Sequence, residues 1–127
     1  MFVDNKQIYI VDDDESVCRA LKLLMMTYGF VVQTFYSAEK FLSTVLNTSP
    51  GCLIMDVYMP GLNGWEAQQE LIKTGSDRPV IFITADKNGD LKDKALQAGA
   101  AGFLQKPFND QELVDLINRA ILVKGSL

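Results

Sequence analysis

"QIYIVDDDES", residues 7–16, is the stretch whose reading decides the fold. Gln7 to Val11 is short, apolar and β-branched, the pattern of a strand buried on both faces. It runs directly into Asp12, Asp13 and Asp14. A helical spacing follows at once, with Val17, Ala20, Leu21, Leu24, Met25 and Tyr28 on one apolar face. Adjacent carboxylates repel, and desolvating an unpaired charge is expensive. A buried strand ending in three acids therefore calls for something that neutralises them.

The same grammar repeats along the chain. Gly29 stops the first helix, and "FVVQTF" (30–35) is a second strand. Ser37 can cap a helix whose apolar face is Ala38, Phe41, Leu42, Val45 and Leu46, broken by "SPG" (49–51). "CLIMD" (52–56) is a third strand, ending in Asp56. "VYMPGLNG" (57–64) is a loop, and Asn63 with Glu66 makes a capping pair for a helix to about Lys73. "RPVIFIT" (78–84) is a fourth strand, and a weaker helix near 90–98 ends at Gly99. "AGFLQ" (101–105) is the fifth strand, and "KPFND" turns the chain. Asn109 caps a last helix with Leu113, Leu116, Ile117, Ala120 and Ile121 on its face.

Five strands alternating with five helices predict an α/β fold, a doubly wound parallel sheet covered on both faces with right-handed crossovers. Ligand chemistry in such sheets lies beyond the carboxyl ends of the strands, where the strand order reverses. Those ends carry Asp12 and Asp13 after strand 1, Asp56 after strand 3, Thr84 after strand 4 and Lys106 after strand 5.

Composition narrows the function. A chain of 127 residues fits one domain. Its net charge of -4 disfavours nucleic acid as a direct ligand, because phosphate binding needs a basic patch. Its apolar runs fall short of the roughly 20 residues of a membrane helix. The N-terminus has no signal-peptide layout, so the expectation is a soluble cytoplasmic protein. Cys18 and Cys52 lie among apolar residues in no metal or CxxC pattern and are expected to be reduced core residues. The chain has no histidine, which removes Ser-His-Asp and Cys-His catalysis and leaves only a hard, oxygen-held cation such as Mg2+.

Each edge residue has an ordinary use. A DDD run is a solvated helix start, and Asp14 reads only as a cap. A strand-ending Asp is a turn former, Thr84 a β-former, Lys106 a surface lysine and Phe103 a core residue. What outweighs these is coincidence: the groups fall after four separate strands on one edge. Together, Asp12, Asp13 and Asp56 suit Mg2+. Asp56 is a candidate nucleophile towards phosphorus, Lys106 a partner for phosphoryl charge and Thr84 a hydroxyl donor.

In "IVDDD", "LIMDVYMPGLNG", "VIFITA" and "GAAGFLQKPF", from about Ile8 to Val123, the sequence resembles the receiver domain of bacterial two-component response regulators. The resemblance implies the strand order 2-1-3-4-5 of flavodoxin-like three-layer sandwiches. It implies Asp12 and Asp13 as metal-binding acids, Asp56 as phosphoacceptor and the backbone carbonyl of Tyr58 as a further metal ligand. Thr84 is then the switch hydroxyl, Phe103 the switch aromatic and Lys106 the phosphate-contacting lysine. The Lys106–Pro107 bond is expected to be cis, and Tyr58 and Asp86 to tune the lifetime of the phosphorylated state. A partner histidine kinase supplies the phosphoryl group, and homodimerisation on phosphorylation is expected. The likeness is greatest to receivers that precede a helix-turn-helix DNA-binding domain. Residues 1–127 then form a receiver with no output domain, either a single-domain regulator or a fragment of a longer one.

Other classes compete. An aspartyl-nucleophile phosphohydrolase needs an acid two residues after the nucleophile, where this chain has Tyr58. A receiver-like interaction module that is never phosphorylated has no need of the acids, Thr84 and Lys106. A flavin-binding protein needs a phosphate loop after strand 1, where carboxylates would repel the flavin phosphate.

Overall fold

The computed structural model describes residues 6–86 and 89–125, with side chains as far as Ile121. Ten elements alternate. They are β1 (Gln7–Val11), α1 (Glu15–Thr27), β2 (Val31–Phe35), α2 (Ala38–Thr44) and β3 (Cys52–Asp56), then α3 (Gly64–Lys73), β4 (Val80–Thr84), α4 (Asp90–Gln97), β5 (Gly102–Gln105) and α5 (Asp110–Gly125). The strands form one parallel sheet in the order β2-β1-β3-β4-β5. The order reverses between β1 and β3, the two strands that end in acids.

The central strands β1, β3 and β4 are buried on both faces, which is why they read as continuous apolar runs, while the edge strand β2 exposes Val31 and Gln33. One core layer joins Ile8, Ile10, Ile54, Ile81 and Ile83 to α1 and α5 through Leu21, Met25, Leu113 and Ile117. The other joins Tyr9, Val11, Leu53, Met55 and Phe82 to α2, α3 and α4 through Phe41, Leu71 and Ala95. Cys18 and Cys52 are free and buried, and burial pushes their thiols up to about 11 and about 12, with Asp12 adding to the shift at Cys18. No helix of the described residues is long and apolar enough to cross a membrane.

Caps set the helix ends. Asp14 Oδ1 accepts from Ser16 N and Val17 N at α1, and Ser37 Oγ accepts from Lys40 N at α2. Asn63 with Glu66, and Asn109 with Glu112, exchange reciprocal side-chain to backbone bonds at α3 and α5. Hydrogen bonds from Ser16 hold the Asp14 carboxyl below the usual carboxylate range.

Three residues placed on apolar helix faces lie elsewhere. Tyr28 is exposed because α1 ends beneath it: its N–H turns back to Met25 O, that of Gly29 turns back to Met26 O, and Gly29 adopts φ +89°. Ala20 faces solvent. Leu46 is 70% exposed because α2 stops at Thr44. Strands 2, 4 and 5 begin one or two residues later than expected, since Phe30, Arg78, Pro79 and Ala101 lie in the turns leading in.

Candidate functional site

Asp12 follows β1, yet it is only 1% exposed. Its backbone N–H continues the ladder to Phe35 O at 3.1 Å. Its Oδ1 accepts from Asp14 N at 2.9 Å, and the Cys18 thiol donates to its carbonyl at 3.3 Å. The carboxylate is thus fixed in orientation. Asp13, next along, is exposed.

Asp56 ends β3 beside β1 and is half-buried. Its Oδ1 accepts from Tyr58 N at 3.2 Å. Oxygens of Asp12, Asp13 and Asp56 all lie within 4.8 Å of one another. Burial and the neighbouring Asp12 charge push the Asp56 carboxyl above the ordinary aspartate range, while Tyr58 N–H and Lys106 pull it down.

Lys106 answers that charge from the far edge of the sheet. Its backbone N–H donates to Thr84 O at 2.7 Å, extending the β4–β5 ladder past Gln105. Its Nζ then lies 3.4 Å from Asp12 Oδ2 and 3.7 Å from Asp56 Oδ2. The Lys106–Pro107 bond is cis, as the resemblance implies. The amine therefore neutralises part of the acid cluster, and a divalent cation would neutralise the rest. The donor set, three carboxylates and no sulfur or imidazole, fits a hard cation such as Mg2+.

Thr84 lies one residue past Ile83, which pairs with Asp56. It is 1% exposed, and its Oγ1 accepts from Asp86 N at 3.1 Å, leaving its hydroxyl proton to donate elsewhere. Phe103 pairs with Phe82 and is half-buried, on the rim of a cleft of about 290 Å³ with Asp86, Lys92, Gln105 and Glu112. The Tyr58 side chain is exposed.

Two neighbours of the site have no site role in the sequence reading, which places Gly64 at the end of the 57–64 loop and does not single out Glu39. Gly64, the first residue of α3, packs under the end of β3: a Cβ there would lie 2.6 Å from Asp56 O. The signal was a glycine just inside a capped helix start, where its helix propensity is poor. Glu39, on the first turn of α2, accepts from Leu62 N at 3.1 Å, and nothing in the local pattern of α2 marks it.

Residues 8–118 match the family model described as "Response regulator receiver domain". The chain is 41% identical over 114 residues to response regulator protein TodT of Pseudomonas putida, covering 90% of this chain and 50% of the relative. It is 36% identical over 120 residues to the transcriptional regulatory protein TdiR of Thauera aromatica, covering 94% and 53%. It therefore spans about half the length of these relatives. Among solved structures, the response regulator StyR superposes with a TM-score of 0.88 at 38% identity, over 94% of this chain and 61% of that one. With three acids and a lysine gathered at the switch point of a 2-1-3-4-5 sheet, the chain belongs to the receiver domains of two-component response regulators, a family of signalling switches rather than enzymes.

Proposed function

We propose that Asp56 is the phosphoacceptor of this receiver and that a sensor histidine kinase is the donor. The observation that carries the reading is the position of Lys106 Nζ between Asp12 and Asp56, with Asp13 completing the acid cluster. In the transfer, an oxygen of Asp56 forms the new bond to phosphorus as the bond to the donor imidazole nitrogen breaks. The imidazole leaves with the electron pair.

Asp56 must be ionised to attack, and Lys106 and the Tyr58 N–H favour that form against burial. Asp12, Asp13, Asp56 and the Tyr58 carbonyl would hold Mg2+, which would supply charge neutralisation between the carboxylates and the incoming phosphoryl oxygens. Lys106 then contacts a phosphoryl oxygen. Thr84 donates its free hydroxyl proton to another, which draws the turn after β4 inward because Asp86 N is bonded to the same oxygen. Phe103 moves with it, and the α4–β5–α5 face changes.

The whole of residues 1–127 serves as the receiver unit, working in the cytoplasm and homodimerising when phosphorylated. The similarity to the transcriptional regulatory protein TdiR and the chain's half-length match support an output through a DNA-binding unit, with no direct nucleic-acid contact by this domain. Acetyl phosphate labelling followed by intact mass spectrometry tests the reading. The parent gains one phosphoryl group only with a divalent cation, and Asp56→Asn gains none. Equal labelling of Asp56→Asn would refute it.

A further inference from the structure

The segment from Val57 to Asn63 joins Asp56 to α3, and Tyr58 N within it donates to Asp56 Oδ1 at 3.2 Å. Its inner side is well anchored. Met59 is buried, Gly64 N donates to Val57 O at 2.8 Å, and the Asn63–Glu66 box closes its far end. On the other side it meets α2. Glu39 Oε2 accepts from Leu62 N at 3.1 Å. Beside it, Gly61 adopts φ +74°, and a Cβ there would lie 2.5 Å from the same oxygen. The loop thus closes onto the carboxylate through a glycine that leaves it room.

Glu39 rides on a fixed platform. Ser37 caps α2, and Ala38 and Phe41 on either side are fully buried against the sheet. The contact therefore refers the loop's position to the core rather than to another loop. An exposed glutamate in a first helical turn has an ordinary role towards the helix dipole. That role needs its charge. Holding Leu62 N needs only an acceptor oxygen at the same reach.

We infer that Glu39 is a positioning residue for the acid site: its hydrogen bond to Leu62 N holds the β3–α3 loop, and with it the backbone of Tyr58 beside Asp56, in the cation-binding arrangement. The inference rests on the metal reading above and adds a residue that is no ligand itself.

The experiment uses the full 127-residue chain and Mg2+ alone, in two measurements. Amide exchange at Leu62 without metal reads the clamp, and calorimetric Mg2+ titration reads its consequence. In Glu39→Ala, Leu62 N–H should exchange faster, and Mg2+ should bind about threefold to tenfold more weakly. Glu39→Gln should restore both, because its amide oxygen still accepts while its charge is gone. Unchanged Leu62 exchange in Glu39→Ala would overturn the clamp. A loosened loop with unchanged Mg2+ affinity would overturn the positioning role. Glu39→Gln behaving like Glu39→Ala would assign the effect to charge and overturn it as well. A parent that binds no Mg2+ would overturn the metal reading and the positioning role together, while metal-free Leu62 exchange still decides the clamp.

Discussion

Lys106 Nζ lies 3.4 Å from Asp12 Oδ2 although 94 residues of chain separate them. The same amine reaches Asp56 at 3.7 Å. It is the cation printed into the site by the fold, and its removal has a defined direction. Lys106 lowers the Asp56 pKa against burial and the Asp12 charge. Lys106→Met should therefore move the Asp56 carboxyl still higher in metal-free protein, read by carbon NMR titration of that carboxyl. An unchanged titration would mean that the amine does not sense Asp56.

The raised Asp56 pKa also sets a pH dependence. The folded state holds this proton more tightly than the unfolded chain, whose aspartate titrates at the ordinary 3.8. The group's contribution favours folding most below that value and is lost as pH rises through the folded pKa. At neutral pH, metal-free Asp56→Asn should accordingly unfold at higher urea concentration than the parent. The gap should close as the medium is acidified. Mg2+ should stabilise the parent by about 2.7 kcal/mol at a hundred-fold excess over its dissociation constant, and Asp56→Asn by less. A parent more stable than Asp56→Asn at neutral pH without metal would contradict this.

How legible this was depends on range. β1, β3 and β4 were readable because strands buried on both faces announce themselves as apolar runs, whereas the edge strands β2 and β5, which expose Val31, Gln33 and Gln105, were marked by the glycines that end the helices before them, Gly29 and Gly99. The caps at Asp14, Ser37, Asn63 and Asn109 were readable because the partners lie within three residues. Strand order was not in the local pattern. It came with the family resemblance, whereas the rule that ligands bind beyond the carboxyl ends of the strands already put Lys106 and Asp12 on one edge without giving their direct contact. Leu46 shows the limit of periodicity: its position suits the α2 face, but its carbonyl is taken by Arg78 Nη2 at 2.6 Å, from 32 residues away. Glu39 stayed hidden for the same reason, since Leu62 N is 23 residues distant.

Arg78 is 8% exposed, and among the described residues no carboxylate pairs with it. Its guanidinium instead bonds Leu46 O and lies 5.1 Å from the Tyr9 ring centroid and 5.4 Å from that of Phe41. It ties the end of α2 to the start of β4. Arg78→Ala should cost about 2–4 kcal/mol in urea unfolding, from the lost charged hydrogen bond and ring contacts. Arg78→Met should cost less, because it keeps the stem against the rings and removes a buried charge. Equal losses in the two variants would show that the guanidinium alone carries the effect.

Gly64 joins the fold to the chemistry. A Cβ there would lie 2.6 Å from Asp56 O and 3.0 Å from both Val57 Cα and Phe82 Cε1. Two of these atoms are backbone at the end of β3. They are held in turn, by Val57 N to Ile83 O at 3.2 Å and by Gly64 N to Val57 O at 2.8 Å. Neither can yield without moving the residue that bears the site carboxylate. Overpacking of this kind costs about 1–3 kcal/mol, which exceeds the roughly 1 kcal/mol that alanine gains over glycine even in a helix interior. Gly64→Ala should thus lower the urea midpoint and slow Mg2+-dependent labelling of Asp56 by acetyl phosphate. Gly89 provides the control, because it has a helical φ of -63° and open space around its Cβ position. Gly89→Ala should leave stability nearly unchanged. If Gly64→Ala proves as stable as the parent and labels as fast, α3 is free to shift, and Asp56 does not depend on the close approach beneath it.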